Sequence, residues 1–272
     1  MPFDRTVRAS VIHLSDTHFS EGPRGAVASS LALEAVLRSE ALRPRPTCAV
    51  ITGDIADTGT VGEYVKARAV LSRFSVPVHL VPGNHDDALT MARQLSSSGY
   101  VREAEREPGR CYYAVDYDEF RLVCCDSSRV GSHAGELGDI QLAWIEEQLV
   151  MAGDRPVFLA MHHHPFFSGI EAMDCLRLLD LEALESVLWR HRNVHRLLTG
   201  HLHRQVVTTV GGVQVVGANS TGRQVLLGLA PGAPGAYIDE PASVVWHILL
   251  SDGNVVSHFL PVPDAGLEYD PF

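Results

Sequence analysis

Val81-Pro82-Gly83-Asn84-His85-Asp86 ends an apolar run, Val76 to Val81, in an amide, an imidazole and a carboxylate. Pro and Gly break a strand there, so the polar side chains project from a loop at its end. Four other runs end the same way. Val11-Ile12-His13-Leu14 leads to Asp16 and His18, and Ala49-Val50-Ile51-Thr52 leads to Gly53-Asp54. Val157 to Met161 leads to His162, and Arg196 to Thr199 leads to Gly200-His201-Leu202-His203. Five buried-type strands thus carry Asp, Asn or His toward one shared edge, which is the pattern of a metal site.

Outward from that stretch, the first 81 residues alternate strand, helix, strand, helix, strand. The strands are Val7 to Leu14, Cys48 to Thr52 and Val76 to Val81. One helix over Val27 to Leu42 has Leu31, Ala35 and Leu42 on its apolar stripe. A second, over about Val61 to Phe74, has Val61, Val65 and Ala69 inward. This order marks a parallel sheet covered by helices. A short helix capped by Asp86 or Asp87 follows, then a hairpin from Tyr112–Tyr117 to Phe120–Cys125. Asp139 and Asp180 are natural N-caps for two later helices. The runs Gln205–Val210, Val213–Gly217, Val244–Leu250 and Val255–Leu260 suggest a second, more antiparallel sheet. We read residues 1–272 as a single domain. Within it, 218–241 is a Gly/Pro-rich loop lining the site, and 262–272 is a tail.

A chain of 272 residues can bury a substantial core, and its formal charge of −11 speaks against a broad hold on a nucleic acid backbone. Five cysteines without CxxC spacing suit reduced, buried thiols rather than disulfides or thiolate ligands. No run approaches the ~18 apolar residues of a membrane span, and the N-terminus has no leader-like apolar segment. The expectation is a cytoplasmic protein with no membrane or nucleic-acid partner.

Residues two apart in extended backbone point to the same side, so Asp16/His18 and His201/His203 can each face one cluster. With Asp54, Asn84 and His162 they make seven oxygen and nitrogen donors, more than one four-coordinate zinc takes. They suit two ions roughly 3.5–4 Å apart bridged by Asp54. Imidazole, carboxylate and amide without thiolate favour Fe, Mn, Zn or Co, as divalent or trivalent ions.

Asp16-x-His18, Gly53-Asp54, Gly83-Asn84-His85-Asp86, His162 and Gly200-His201-x-His203, in this order, resemble the calcineurin-like metallophosphoesterase superfamily across residues 7 to 210. Four segments look like its class III cyclic-nucleotide phosphodiesterase and glycerophosphodiesterase branch. They are Gly83–Asp87, Asp126-Ser127-Ser128-Arg129, Met161–Pro165 and Pro241-Ala242-Ser243. The branch's usual His-His-Pro-Pro stands here as His162-His163-His164-Pro165. The resemblance implies a four-layer α/β/β/α sandwich with mixed sheets. It implies that Asp16, His18, Asp54 and His203 hold one metal and that Asp54, Asn84, His162 and His201 hold the other. His85 would meet the phosphate and protonate the leaving group, with Asp54 and Asn84 as its catalytic neighbours. Two divalent ions less two carboxylates and a bridging hydroxide leave about +1, hospitable to a phosphodiester anion attacked in line.

The implied enzyme hydrolyses small-molecule phosphodiesters, either 3′,5′-cyclic nucleotides or glycerophosphodiesters. The rival readings are a phosphomonoesterase or promiscuous phosphatase, and a metal-binding scaffold without catalysis. His164 and Arg223 are candidate substrate contacts. His13 and His79 read as core histidines, and His133, His191, His195, His247 and His258 as surface or edge residues. The resemblance also implies a homodimer or larger assembly, with the tail as a candidate contact.

Overall fold

A computed structural model describes residues 6–96, 101, 104 and 106–262. In chain order the first half comprises β1 (Val7–Leu14), α1 (Gly22–Glu40), β2 (Cys48–Thr52), α2 (Val61–Leu71), β3 (Val78–Val81), α3 (Ala88–Leu95), β4 (Tyr113–Asp116) and β5 (Arg121–Cys124). The second half comprises α4 (Gly138–Ala152), β6 (Val157–Ala160), α5 (Glu171–Asp174), α6 (Leu181–Arg190), β7 (Val194–Thr199), β8 (Val206–Val210) and β9 (Val213–Gly217). It ends with β10 (Gln224–Val225), β11 (Tyr237–Ile238), β12 (Ala242–Leu250) and β13 (Val255–Val262).

A five-stranded sheet has the order β13-β12-β1-β2-β3, a six-stranded sheet the order β4-β5-β6-β7-β9-β8, and β10 and β11 form a separate two-stranded antiparallel ribbon. β1, β2 and β3 run parallel, as do β5, β6, β7 and β9, while the outer pairs are antiparallel. The period-two alternation of the strands builds the layers. Ile12, Leu14, Ala49 and Ile51 face α1 and α2, while Val11, Cys48 and Val50 face the second sheet. Across that interface Phe158, Ala160 and Leu198 point inward, and Val157, Leu159 and Leu197 point out toward α4 and α6. Strands buried on both faces need continuous apolar runs, which is what the sequence carries. The result is an α/β/β/α sandwich of four layers with mixed sheets.

Several local expectations change. The late strands do not form a sheet of their own: β8 and β9 extend the second sheet, and β12 and β13 extend the first. The inward face of α1 is Ala32, Ala35, Val36 and Ser39, small side chains that let the helix sit close to the sheet. α2 buries Glu63, Tyr64, Ala67 and Leu71, leaving Val61 and Val65 exposed. Its Glu63 is inward because it closes a capping box with Thr60. Asp139 caps nothing. The carboxylate of Asp180 instead accepts from the N–H groups of Leu137 and Gly138 at the start of α4 and makes no cap bond to α6, the helix it directly precedes. Of the five cysteines, Cys175 is exposed and the rest are buried and free. The proposed tail lies outside the described residues beyond Val262.

His247 is fully buried rather than at the surface. Its Nε2 lies 3.3 Å from Nδ1 of His13, and its Nδ1 lies 2.7 Å from the Ser257 hydroxyl. Burial pushes His13 down to about 3 and His247 well below the ordinary imidazole range. In the unfolded chain these imidazoles take up protons near pH ~6.5. Below that pH the unfolded state therefore binds more protons than the folded one, and stability falls as the pH falls. In metal-free protein, His247→Gln is expected to make the loss of urea-unfolding free energy between about pH 6.5 and pH 5 less steep. An unchanged slope would contradict a neutral His247.

Candidate metal centre

The carboxyl ends of β1, β2, β3, β6 and β7 meet at one end of the sandwich, three from one sheet and two from the other. The loops there are stitched together by backbone. Asp16 N–H donates to Gly53 O at 3.0 Å, His18 N–H to Asp54 O at 2.9 Å, and Gly200 N–H to His162 O at 3.0 Å. The convergence does not come from extended backbone. Asp16 (φ 52°), His18 (44°), Asp54 (49°), His201 (65°) and His203 (49°) all adopt left-handed conformations. Among the described residues they are all of the non-glycine residues that do so. Each such residue costs roughly 1–3 kcal/mol and persists only where its surroundings over-determine it. Glycines provide the clearance: a Cβ on Gly53 (φ 90°) would lie 2.4 Å from the His162 ring, and one on Gly200 would lie 1.9 Å from the Ser15 hydroxyl.

The donor atoms fall into two groups that share Asp54. In the first, His203 Nε2 is 3.2 Å from His18 Nε2 and 3.2 Å from Asp16 Oδ1, and His18 Nε2 is 3.7 Å from Asp54 Oδ2. In the second, His162 Nε2 is 3.2 Å from Asn84 Oδ1, 3.2 Å from His201 Nδ1 and 3.4 Å from Asp54 Oδ1. Ligands bound ~2.0–2.2 Å from one ion stand roughly 2.8–3.6 Å from one another. The other distances match that spacing, the 3.7 Å from His18 to Asp54 lying just beyond it, and each oxygen of Asp54 faces one of the groups. His201 and His203, two apart in sequence, go to different groups of the one cluster, the partition that the family resemblance implies.

Carbonyl groups fix the rings. His162 Nδ1 donates to Thr52 O at 2.7 Å, His203 Nδ1 to Arg223 O at 2.8 Å, and His85 Nδ1 to Asp57 O at 2.7 Å. Each leaves Nε2 aimed at the centre, the usual arrangement for a ligating or acid–base imidazole. Burial opposes the charge of Asp54, yet His162, with His18 and His85, holds its carboxyl well below the usual range. Asp16 is likewise lowered against its burial by His203. Burial opposes protonation of His162 too, but Asp54 and Asp16 raise it to about 9. His203 is raised by Asp16, whereas burial, together with His163 and its neighbours, drives His201 far down.

All seven expected donors are thus brought together, with His85 beside them, its Nε2 4.0 Å from Asp54 Oδ2 and its side chain a third exposed. His164 is placed otherwise: it is fully buried, stacked on His201 at 5.7 Å, and does not face the opening. Arg223 contributes its carbonyl, while its exposed guanidinium lies 5.5 Å over the Tyr237 ring. Asp86 neither caps α3 nor touches a ligand histidine. Asp87 is the cap, and the half-buried Asp86 carboxylate accepts from Ile55, Ala56 and Gly83 N–H, tying the Asp54 and Asn84 loops together.

Three contributors escaped the sequence reading. Asp57 lies 3.3 Å from His18 Nδ1; it follows Asp54 by three and carries no motif. Thr52, the last residue of β2, accepts from His162. His133, expected at the surface, meets Asn84, a contact across 49 residues that no local pattern signals.

Residues 9–205 match the sequence profile described as calcineurin-like phosphoesterase. The chain belongs to that family. A probable glycerophosphodiester phosphodiesterase GpdQ of Arcobacter nitrofigilis is 31% identical over 257 residues, 91% of each chain. The 3′,5′-cyclic adenosine monophosphate phosphodiesterase CpdA of Pseudomonas aeruginosa is 29% identical, over 96% of this chain and 92% of its own. Among solved structures, a dimetal phosphatase from Danio rerio superposes with a TM-score of 0.66 at 19% identity, over 94% of this chain and all of its own, and so shares the fold. Family membership and the donor geometry agree on a centre for divalent metal ions.

A methyl group at Gly83 would lie 2.1 Å from Asp54 Oδ1. Gly83→Ala is expected to cost about 1–3 kcal/mol and to release at least one cation by displacing the shared carboxylate. Metal analysis after dialysis beside the parent protein checks this; two retained ions at unchanged stability would contradict it.

Proposed function

We propose that this protein is a metal-dependent phosphodiesterase acting on small-molecule phosphodiesters, either glycerophosphodiesters or 3′,5′-cyclic nucleotides. The observation that carries the reading is the pair of donor groups sharing Asp54, with His85 at their open side. Asp16, His18, Asp54 and His203 would hold one ion, and Asp54, Asn84, His162 and His201 the other. Iron, manganese, zinc or cobalt suits this donor set. When bound, such a pair supplies positive charge against the phosphate oxygens and brings the pKa of water near neutrality.

The chain's own residues do the rest. Asp54 spans both groups and keeps them in register. His85, oriented by the Asp57 carbonyl, presents Nε2 at the rim, where a proton held on that atom can pass to the leaving alkoxide. The buried faces of His162, His201 and His203 keep water from the back of the site. Among the described residues no helix is long and apolar enough to cross a membrane.

Two measurements test the reading. Metal-loaded protein is expected to hydrolyse a bis-aryl phosphate faster than an aryl monophosphate; a strong preference for the monoester would overturn the choice. His85→Ala is expected to keep both metals and to lower kcat by about 10²–10⁴ for alkyl esters, with a smaller loss for a good aryl leaving group. Equal losses for both would contradict proton donation by His85.

A further inference from the structure

The amide of Asn84 can serve a cation only through its oxygen, yet its two ends are nearly the same size. Which end faces the centre is decided by hydrogen bonding alone. Oδ1 lies 3.2 Å from His162 Nε2, and Nδ2 lies 3.0 Å from Nδ1 of His133. An imidazole nitrogen that accepts from an amide must be unprotonated, so this contact selects both the Asn84 rotamer and the His133 tautomer. A flipped amide would set N–H against the cation and carbonyl against the His133 lone pair.

His133 is itself held from behind. Its carbonyl accepts from His163 Nε2 at 3.2 Å, and His163 Nδ1 lies 2.8 Å from the Ser127 hydroxyl. The turn around it is closed by Ser132 N–H donating to Arg129 O at 3.0 Å and by Ala134 N–H donating to the Ser132 hydroxyl at 3.0 Å. Gly135 lets this loop lie against His163, since a Cβ there would fall 2.3 Å from the ring. An exposed side chain on a loop after β5 is therefore fixed by its backbone and reaches across to the loop after β3. Its ring also stands 5.9 Å from that of His85, so the two histidines flank the opening.

We infer that His133 is a positioning residue that fixes the Asn84 amide with its oxygen toward the centre and thereby sets the affinity of the cation site that Asn84, His162 and His201 form. The inference rests on the reading of Asn84 as a ligand. Partners that orient a ligand typically change metal affinity 10–100-fold when removed.

The test is calorimetric titration of metal-free full-length protein with Mn²⁺, with steady-state kinetics on a bis-aryl phosphate as a second readout. The parent protein should show two sites. His133→Ala should weaken one of them by about 10-fold or more and leave the other unchanged, with the metal-free melting temperature unaltered. His133→Gln, which again offers an acceptor, should recover part of that affinity, an effect that mere loosening of the loop would not produce. In kinetics at limiting Mn²⁺ the loss should appear as a higher metal requirement that excess Mn²⁺ repairs. Two unchanged sites in His133→Ala, equal weakening of both, or a Gln variant as poor as the Ala variant would overturn the inference. A parent protein that binds no pair of Mn²⁺ ions would instead overturn the metal-centre reading itself.

Discussion

The rest of the site depends on one buried carboxylate. Asp54 is 2% exposed, and its two oxygens face different histidine groups. An anion in that position is tolerable only when positive charge or hydrogen-bond donors meet it on each side. His162 and His18 do so from either flank, and the N–H of His85 donates to Oδ1. Both sheets must therefore hold their loops in register around it. The Asp54 loop is bound to the Asp16 loop by backbone bonds, to the Asn84 loop through Asp86, and to the His162 loop through Thr52.

That constraint explains where the backbone is strained. The left-handed conformations lie at five of the seven donors, and the glycines beside them admit a neighbouring loop at distances no Cβ permits. The parallel strands supply the rigid frame against which such conformations can be maintained. Open α/β sheets place their sites outside the carboxyl ends of the strands. Here two sheets do so at one end, and the ligands of each donor group come from both.

The strands were legible because a run buried on both faces has little freedom in composition: Val7–Leu14, Cys48–Thr52 and Val213–Gly217 are found where the apolar runs lie. The donors were legible because Asp, Asn and His at the ends of such runs have few other uses there. The helix faces were less so. α1 packs through Ala and Ser, whose hydropathy signals little, and Glu63 turns inward because of its cap. Asp180 crosses 42 residues to the start of α4, and Asn84 crosses 49 to His133, so neither role has a local signature. His247 pairs with His13 across the β1–β12 ladder, an antiparallel partnership that closes the chain's last third onto its first strand.

The same pair shows how the centre is braced from beneath. His13 Nε2 lies 2.9 Å from the Thr52 hydroxyl, which in turn lies 2.8 Å from the Ser15 hydroxyl. The Thr52 carbonyl accepts from both Ser15 Oγ and His162 Nδ1. A polar chain thus runs through the first sheet from Ser257 to His162, in an interior otherwise dominated by apolar side chains. Buried polar groups persist only when they are hydrogen-bonded to one another. Placing them in series makes the position of Thr52, and through it the aim of His162, a property of the whole sandwich rather than of one loop.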